Sequence, residues 1–405
     1  MTDTPAAAGH GKAPVLDIDP FSDEFLRDPF RWHTQLREVG PVVWLAQYQV
    51  WAMARYGEVH EALRDWETFC SSAGVGLSDF RKQKPWRPPS LLLEADPPEH
   101  SRARKAVARA LSPRTVRDLR TGFDAEADAL AGELLAAGEV DGITGIAEEF
   151  PLRVFPRAVG ISGDCRDELL AYGDMAFNAF GPRNHLLAES AARMDGVVPW
   201  IAAHCSRDAL APDGLGARIY DSADDGSITE EEAALLVRSL LTAGIDTTVV
   251  TLGCALERLA RDPAQWQLLR EDPALAGAAF EETLRYASPV QTFFRTTTRP
   301  VEVGGVTLGA AEKVLLFLAA ANRDPRRWPE PERFDIHRRA VGHVGFGFGI
   351  HACVGAALSR VEGEALLGAL ARRAGSIELA GEPVRRLNNT LSGFASLPLR
   401  LSPLV

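Results

Sequence analysis

A proline-free run of helical periodicity from Thr229 to Arg261 constrains the fold of this chain more than any other feature of its sequence. Thr229 and Glu232 form a capping-box pattern, with a hydroxyl at the N-cap and a carboxylate three residues later. A helix of roughly 32 residues is about 48 Å long and has to cross the whole molecule. We therefore expect it to organise one large domain.

The same helix carries its weakest segment at its centre, in residues 243–248 (AGIDTT). Glycine and β-branched alcohols have below-average helix propensity. A threonine hydroxyl that bonds to a carbonyl one turn earlier can open the helix locally. A long helix that is weakened at its buried midpoint indicates a functional site.

The rest of the chain predicts a mainly α protein with a small β part. Extended runs at 42–45 and 49–54 precede a helix from about Glu58, and residues 98–270 show helical periodicity almost throughout. Another helix follows Pro273, then strands at 293–298, 301–303 and 313–318, and a final helix from 354 to about 373. We predict a flexible tail over residues 1–20, one domain over 21–405, and a functional loop in the irregular segment 71–95.

Composition excludes several classes of protein. The 405 residues are 46% hydrophobic and carry a net charge of −11, which is typical of a globular chain and unlike a general nucleic-acid binder. No uninterrupted apolar run approaches the length of a membrane span, and the first residues do not resemble a signal peptide. The five cysteines are scattered and odd in number, so we expect a reduced, cytoplasmic protein.

The most informative motif is residues 346–355 (FGFGIHACVG). Its glycines allow a tight turn against a bulky flat partner, and the sequence places Cys353 in the first turn of the following helix, where the dipole would lower the thiol pKa. A lone thiolate cannot build a tetrahedral zinc site, but it suits haem iron with an axial cysteinate. The alternative is a buried structural cysteine beside a glycine turn.

At these residues the chain resembles the cytochrome P450 family of haem-thiolate monooxygenases. Glu282 and Arg285 match the family's Glu-x-x-Arg pattern, residues 331–334 and 322–325 match its partner segments, and residues 243–248 match its oxygen-activation motif. The resemblance implies the P450 fold, with a long central helix over a buried haem b. By this resemblance Glu282 and Arg285 would have a structural role and lock the core behind the haem. Taken alone, they would form only a solvated ion pair.

The resemblance also implies roles for individual residues. Thr247 would hydrogen-bond the reacting oxygen and Asp246 would relay protons from water, the alternative being a simple helix kink. Phe346 and Gly347 would contact the haem beside Cys353. His100, Arg104, Arg295 and His351 would bind its propionates, whereas Arg102 would lie at the surface.

Four further segments (86–90, 177–182, 238–239 and 289–295) resemble bacterial P450s that oxidise para-substituted benzoates. By this resemblance Arg87, Ser90 and Ser239 would bind a carboxylate, and Arg238 would close the entrance. The aromatic ring would contact Leu93, Phe177, Phe180, Ala243, Val290 and Phe293. Alternatively, Phe177 and Phe180 are ordinary core residues and Arg87 is a solvated loop residue.

Helix geometry supports such a slot independently. Ser239, Ala243 and Thr247 are spaced four residues apart and share one helix face, with Ser239 about 12 Å from the weakened turn. We therefore expect hydroxylation or O-demethylation of small para-substituted aromatic acids, with O2 and with electrons from NAD(P)H through a flavoprotein reductase and a [2Fe–2S] ferredoxin. The alternatives are a P450 of another substrate class, such as natural-product tailoring, and a haem-thiolate sensor without turnover.

Overall fold

The computed structural model describes residues 13–404, which are mainly helical. Their α-helices are α1 Asp23–Arg27, α2 Phe30–Val39, α3 Tyr56–Arg64, α4 Glu99–Ala110, α5 Pro113–Ala137, α6 Glu149–Val159, α7 Arg166–Asn178, α8 His185–Ala191, α9 Met194–His204, α10 Leu215–Asp224, α11 Glu230–Ala243, α12 Asp246–Arg261, α13 Pro263–Glu271, α14 Ala276–Tyr286, α15 Leu318–Ala321 and α16 Ala356–Arg373. The prediction of a mainly α protein is confirmed.

The β part is small, as predicted. Its strands are β1 Val15–Leu16, β2 Val43–Leu45, β3 Val50–Met53, β4 Phe69–Cys70, β5 Glu139–Asp141, β6 Thr292–Thr297, β7 Val301–Val303, β8 Val306–Leu308, β9 Lys313–Phe317, β10 Ala374–Leu379, β11 Val384–Arg386, β12 Gly393–Ser396 and β13 Pro398–Pro403. The main sheet has the order β1-β2-β3-β9-β6-β4, and β10-β13-β5, β11-β12 and β7-β8 form smaller sheets. In the main sheet Arg295 of β6 pairs with Val314 of β9.

The amino-terminal boundary differs from the prediction. Residues 1–12 of the predicted tail lie outside the described residues. The chain joins the fold before Phe21, because β1 pairs in parallel with β2 through Val15 and Trp44. A flexible tail up to residue 20 is therefore wrong for the residues of β1.

The long helix predicted over 229–261 forms as two segments, α11 and α12. Its capping box is present, since the Glu232 amide donates to Thr229 Oγ1 at 3.2 Å and the Thr229 amide donates to Glu232 Oε2 at 2.8 Å. The break lies at Gly244, where a Cβ would come within 2.1 Å of the Phe155 ring. Thr247 Oγ1 donates to the Ala243 carbonyl at 2.7 Å, which confirms the predicted hydroxyl-to-carbonyl bond.

The stretch Glu230–Arg261 is also, among the described helices, the one that is long and apolar enough to cross a membrane by length and composition. Of its most apolar 18-residue stretch, 61% is buried inside the protein. The core helix of a soluble protein has the same properties.

A buried ion pair joins α14 to the segment that leads toward Cys353. The Arg285 guanidinium donates to both Glu282 carboxylate oxygens at 2.8 Å, and neither side chain has any exposed surface. Arg285 also donates to the carbonyls of Asn322 and Pro331 at 3.0 Å. The interpretation as a solvated ion pair is therefore wrong.

The irregular segment between β4 and α4 is fastened to the sheet by a buried lysine. Lys313 Nζ donates to the carbonyls of Ala73, Gly74 and Gly76 at 3.2, 2.7 and 2.9 Å. Burial lowers the pKa of this ammonium to about 8. Its three carbonyl partners fix the start of the segment, whereas most side chains over 81–89 are exposed.

We expect Arg285→Leu to lower the free energy of unfolding by about 3–5 kcal/mol, because it leaves the buried Glu282 carboxylate with Arg338 as its remaining cationic partner. Urea unfolding followed by circular dichroism measures the change. Arg64→Leu is the matched control, since Arg64 and Glu61 have the same helical spacing but are 63% and 55% exposed. Equal losses in the two variants would contradict a special role for burial.

Candidate active site

A cavity between α11, α12, β6 and the loop before α16 collects most of the predicted site residues. Those that line it are Arg87, Ser90, Leu93, Arg104, Phe177, Phe180, Arg238, Ser239, Ala243, Thr247, Val290, Phe293, Arg295, Phe346, Gly347, His351 and Cys353. Four predicted residues do not line it: His100, Asp246, Glu282 and Arg285. Of these, Glu282 and Arg285 are predicted to be structural, so His100 and Asp246 are the two site residues that do not line the cavity directly.

The loop that carries Cys353 is held by backbone contacts. The Cys353 amide donates to the Phe346 carbonyl at 2.8 Å and closes the loop on itself. Gly347 and Gly349 both have a φ of 70°, in the left-handed region that favours glycine. A Cβ at Gly349 would lie 2.6 Å from the Leu63 carbonyl. The glycine spacing of the motif therefore follows from the turn and from close packing.

Two details of the cysteine differ from the prediction. Helix α16 begins at Ala356, with Gly355 at the N-cap, so Cys353 precedes the helix rather than lying in its first turn. Burial raises the pKa of the Cys353 thiol, and this effect outweighs the lowering by the Gly355 amide and Arg104. The protein surroundings alone therefore favour the thiol, and only a bound metal would favour the thiolate strongly.

Basic side chains, two arginines and two histidines, lie around the cavity beside Cys353. Arg104 donates to the Ala352 carbonyl at 2.7 Å, and Arg295 is 3% exposed with a pKa lowered by burial to about 10. The His100 ring lies 4.4 Å from the His351 ring, and neither His100 nitrogen has a hydrogen-bond partner among the described residues. Burial, with smaller effects of His351 and Arg104, lowers the pKa of His100 to about 4.

These residues fit haem. The cavity offers one thiol, and no group of three or more His, Cys, Asp or Glu side chains among residues 13–404 could hold a metal ion by itself. Arg104 and Arg295, which line the cavity, and the N–H of the neutral His100 ring, which has no partner among the described residues, would be the donors that two propionates require. Cys353 is also the only one of the five cysteines that lines the cavity. The four others are buried.

The predicted acid and alcohol of the weakened helix turn point in different directions. Thr247 lines the cavity, whereas the Asp246 carboxylate is 1% exposed and lies 3.4 Å from Arg386 of β11. Burial raises the pKa of Asp246 to about 7, against a smaller lowering by Arg386. The Asp246 carboxylate therefore does not line the cavity, and its role as a proton relay from water stays a prediction.

A second buried acid, Glu362, belongs to no predicted motif. Glu362 of α16 lines the cavity, and Thr248 Oγ1 donates to one of its oxygens at 3.4 Å. Burial raises the pKa of Glu362 to about 8. A charged residue on the apolar face of a core helix was the available signal in the sequence.

Hydroxyl and guanidinium groups gather at the other end of the cavity. Ser90 Oγ and Ser239 Oγ are 3.2 Å apart, although 149 residues separate them in the chain. The Arg87 side chain is 9% exposed and pairs with Glu94 at 3.0 Å. Arg87 is therefore neither a solvated loop residue nor a free cation, and no sequence pattern indicates Glu94 as its partner.

Arg238 has no acidic partner among the described residues. Its guanidinium donates to the Pro88 carbonyl at 2.8 Å and lines the same cavity. Burial lowers the pKa of Arg238, and the neighbouring Arg87 lowers it further. Two arginines and Glu94 leave one uncompensated positive charge beside the two serines.

Aromatic side chains form the wall between the two ends. The Phe177 and Phe180 rings meet edge to face at 5.9 Å, and Phe180 meets Phe293 in the same way at 5.6 Å. All three line the cavity, so Phe177 and Phe180 are both buried and part of the site. Such a wall suits a flat ring.

Comparisons with known proteins agree with this architecture. A family model described as Cytochrome P450 matches residues 208–398. Cytochrome p450 CYP199A2 of Rhodopseudomonas palustris is 54% identical over 401 residues, covering 99% of this chain and 97% of that protein. Vitamin D(3) 25-hydroxylase of Pseudonocardia autotrophica is 34% identical over 394 residues, covering 95% and 96%.

The solved structures include a similar fold. Cytochrome P450 CREJ in complex with (4-ethylphenyl) dihydrogen phosphate has a TM-score of 0.86 and 27% identity, covering 95% of this chain and 99% of that chain. The overall fold is thus shared with a solved cytochrome P450 of similar length.

We expect Cys353→Ser to abolish the red-shifted Soret band of the ferrous–CO complex, because serine cannot supply an electron-rich thiolate. The spectrum of the reconstituted protein measures this. Cys254→Ser, at a buried cysteine outside the cavity, is the control and should keep the band. Survival of the band in Cys353→Ser would mean that another cysteine is the ligand.

Proposed function

The chain belongs to the cytochrome P450 family, and we propose that it hydroxylates or O-demethylates small para-substituted aromatic acids such as 4-methoxybenzoate. It is a haem-thiolate monooxygenase with Cys353 as the axial ligand. The substrate class is the proposal. The observation that carries it is the Ser90–Ser239 hydroxyl pair beside two buried arginines, at the end of the cavity away from Thr247.

Charge balance favours a monoanion at this end. A buried cation without an acid is costly, and a substrate carboxylate would offset the burial of Arg238. Ser90 and Ser239 would donate their hydroxyl protons to the same carboxylate. Arg87, already paired with Glu94, would position Ser90, because Glu94 also accepts the Ser90 amide at 2.7 Å.

Length and shape favour a single ring. Ser239 of α11 and Thr247 of α12 both line the cavity, and eight residues at helical rise place them about 12 Å apart, which suits a benzoate whose para substituent reaches the iron side. Phe177, Phe180 and Phe293 would hold the ring between the two ends. The similar protein CREJ is described in complex with (4-ethylphenyl) dihydrogen phosphate, which is also a para-substituted ring with an anionic group.

The chain's own residues supply binding and protons. Haem supplies an electron-rich, thiolate-ligated iron that activates O2. Thr247 lies in the cavity with a hydroxyl that can turn from the Ala243 carbonyl toward the reacting oxygen. Asp246, the preceding residue, has a pKa near neutrality and can give and take a proton.

The family needs O2 and redox partners. We propose a [2Fe–2S] ferredoxin with an NAD(P)H-dependent flavoprotein reductase, because the five scattered cysteines show no ferredoxin spacing. We also propose a cytoplasmic location, in keeping with cysteines that form no disulfide among the described residues.

We expect Thr247→Ala to keep substrate binding and to divert electrons into hydrogen peroxide, because the hydroxyl no longer directs a proton to the correct oxygen. Product formed per NADH consumed measures the effect. Thr283→Ala is the control, since Thr283 makes the same bond to a carbonyl four residues earlier on α14, outside the cavity. Unchanged coupling in Thr247→Ala would mean that the alcohol is only structural.

We expect Arg238→Gln and Ser239→Ala to weaken 4-methoxybenzoate binding, because each removes a charge-assisted hydrogen bond of about 1.5–3 kcal/mol. The loss corresponds to roughly ten- to a hundredfold in affinity, measured by the haem spin-state shift. Neutral 4-methoxyacetophenone should bind about as before.

Arg102→Gln provides the matched control for this experiment, because it removes the same charge at the exposed surface. It should leave both affinities unchanged. Equal losses of affinity for the acid and the neutral ligand would mean that Arg238 supports the loop structure but does not recognise the carboxylate. If no benzoate shifts the spin state, the proposed substrate class is wrong.

A further inference from the structure

We propose that Asp174 of α7 is a positioning residue for proton delivery, because it holds the shared Arg386 nearer to itself than to Asp246 and so keeps Asp246 able to take up a proton. The inference rests on the proposed role of Asp246 in monooxygenation and goes beyond it. It adds a second acid, remote from the cavity and unassigned by any sequence motif, to the residues that govern the reaction.

One guanidinium bridges the two acids. Arg386 Nη2 donates to Asp174 Oδ1 at 2.7 Å, and Arg386 Nη1 lies 3.4 Å from Asp246 Oδ1. The shorter contact shows that Arg386 is held more closely by Asp174 than by Asp246. Asp174 thus competes with Asp246 for the same positive charge.

The second oxygen of Asp246 is enclosed by the same helix. Asp246 Oδ2 is buried and has no hydrogen-bond partner among the described residues. It packs against Gly173, where a Cβ would lie only 1.6 Å from that oxygen. Helix α7 therefore contributes both the glycine that admits the carboxylate and the acid that holds its arginine.

Asp174 is itself firmly fixed. Its carboxylate accepts hydrogen bonds from Ser190 at 2.6 Å and from Asn178 and Asn388 at 3.3 Å, and it pairs with Arg193. Arg193 is 52% exposed, so the cluster reaches solvent on this side. A fixed, charged Asp174 can keep Arg386 in one place.

The charged groups that act on Asp246 are Arg386 of β11, Asp174 of α7 and Glu148 before α6. Burial raises the pKa of Asp246 to about 7, Arg386 lowers it, and the two acids raise it. Replacing Asp174 by asparagine removes one negative charge and frees Arg386 to approach Asp246. Both changes lower the pKa of Asp246, so the direction of the effect is fixed.

The test measures this pKa in the substrate-free ferric holoenzyme by infrared spectroscopy. The band to follow is the carboxylic-acid C=O stretch that Asp246→Asn removes. In Asp174→Asn its titration midpoint should fall by about one to three pH units, and in Arg386→Gln it should rise. Asp174→Glu, which keeps the charge, should restore a midpoint near that of the unchanged protein.

Asp224→Asn is the matched control, since it removes an exposed acid paired with Arg207 and should leave the midpoint unchanged. An intact red-shifted Soret band shows that each variant is folded. If Asp174→Asn does not fold, Asp174→Ser takes its place, because it removes the same charge with a smaller side chain; Arg386→Gln tests only whether the arginine acts on Asp246. Unmoved midpoints in the folded variants would overturn the proposal.

A second measurement separates this proposal from the proposed substrate class. Product per NADH from 4-methoxybenzoate, followed against pH, should show its half-maximum displaced in Asp174→Asn in the same direction as the infrared midpoint. Absence of any benzoate turnover would contradict the substrate class, while the infrared titration would still decide the role of Asp174. Normal turnover with a pH profile that does not move would overturn the role of Asp174 alone.

Discussion

The buried pair of Glu282 and Arg285 is the contact on which the position of the cysteine loop depends. Arg285 neutralises Glu282 and at the same time binds carbonyls of the segment before the cysteine loop. The Asn322 side chain in that segment accepts a hydrogen bond from the Val344 amide at 2.7 Å, and Val344 lies two residues before the cysteine loop begins at Phe346. Because Glu282, Arg285 and Asn322 are fully buried, the hydrogen bonds among them are shielded from water and tie the start of the loop to α14.

The sequence predicted what depends on local pattern. The capping box at Thr229, the weak turn around Gly244 and the glycine loop before Cys353 all have short-range causes, and the structure contains each of them. What failed depends on the environment. The thiol pKa of Cys353 and the start of α16 were judged from a helix dipole alone, whereas burial has the larger effect.

Charge pairing across the fold could not be predicted in the same way. Glu94 is near Arg87 in the chain, but only the turn between them brings the two charges together. Arg386 meets Asp246 across 140 residues and Asp174 across 212 residues. Such contacts leave no periodic signal, and burial decides their strength. In this protein these charge pairs lie at the serine end of the cavity and around Asp246. Motif spacing predicts these two parts of the site least well.

The three carbonyl bonds of Lys313 have a kinetic consequence. They anchor the chain at Ala73–Gly76, while the mostly exposed stretch 82–85 further along the same segment has no hydrogen bond to the sheet or to the cysteine loop among the described residues. Motion can therefore occur in the exposed stretch without disturbing the sheet or the cysteine loop. We expect side chains of this stretch to govern the rate at which a substrate enters the cavity, and other side chains to govern its affinity once bound. Substitutions in evolution could then adjust the two properties separately.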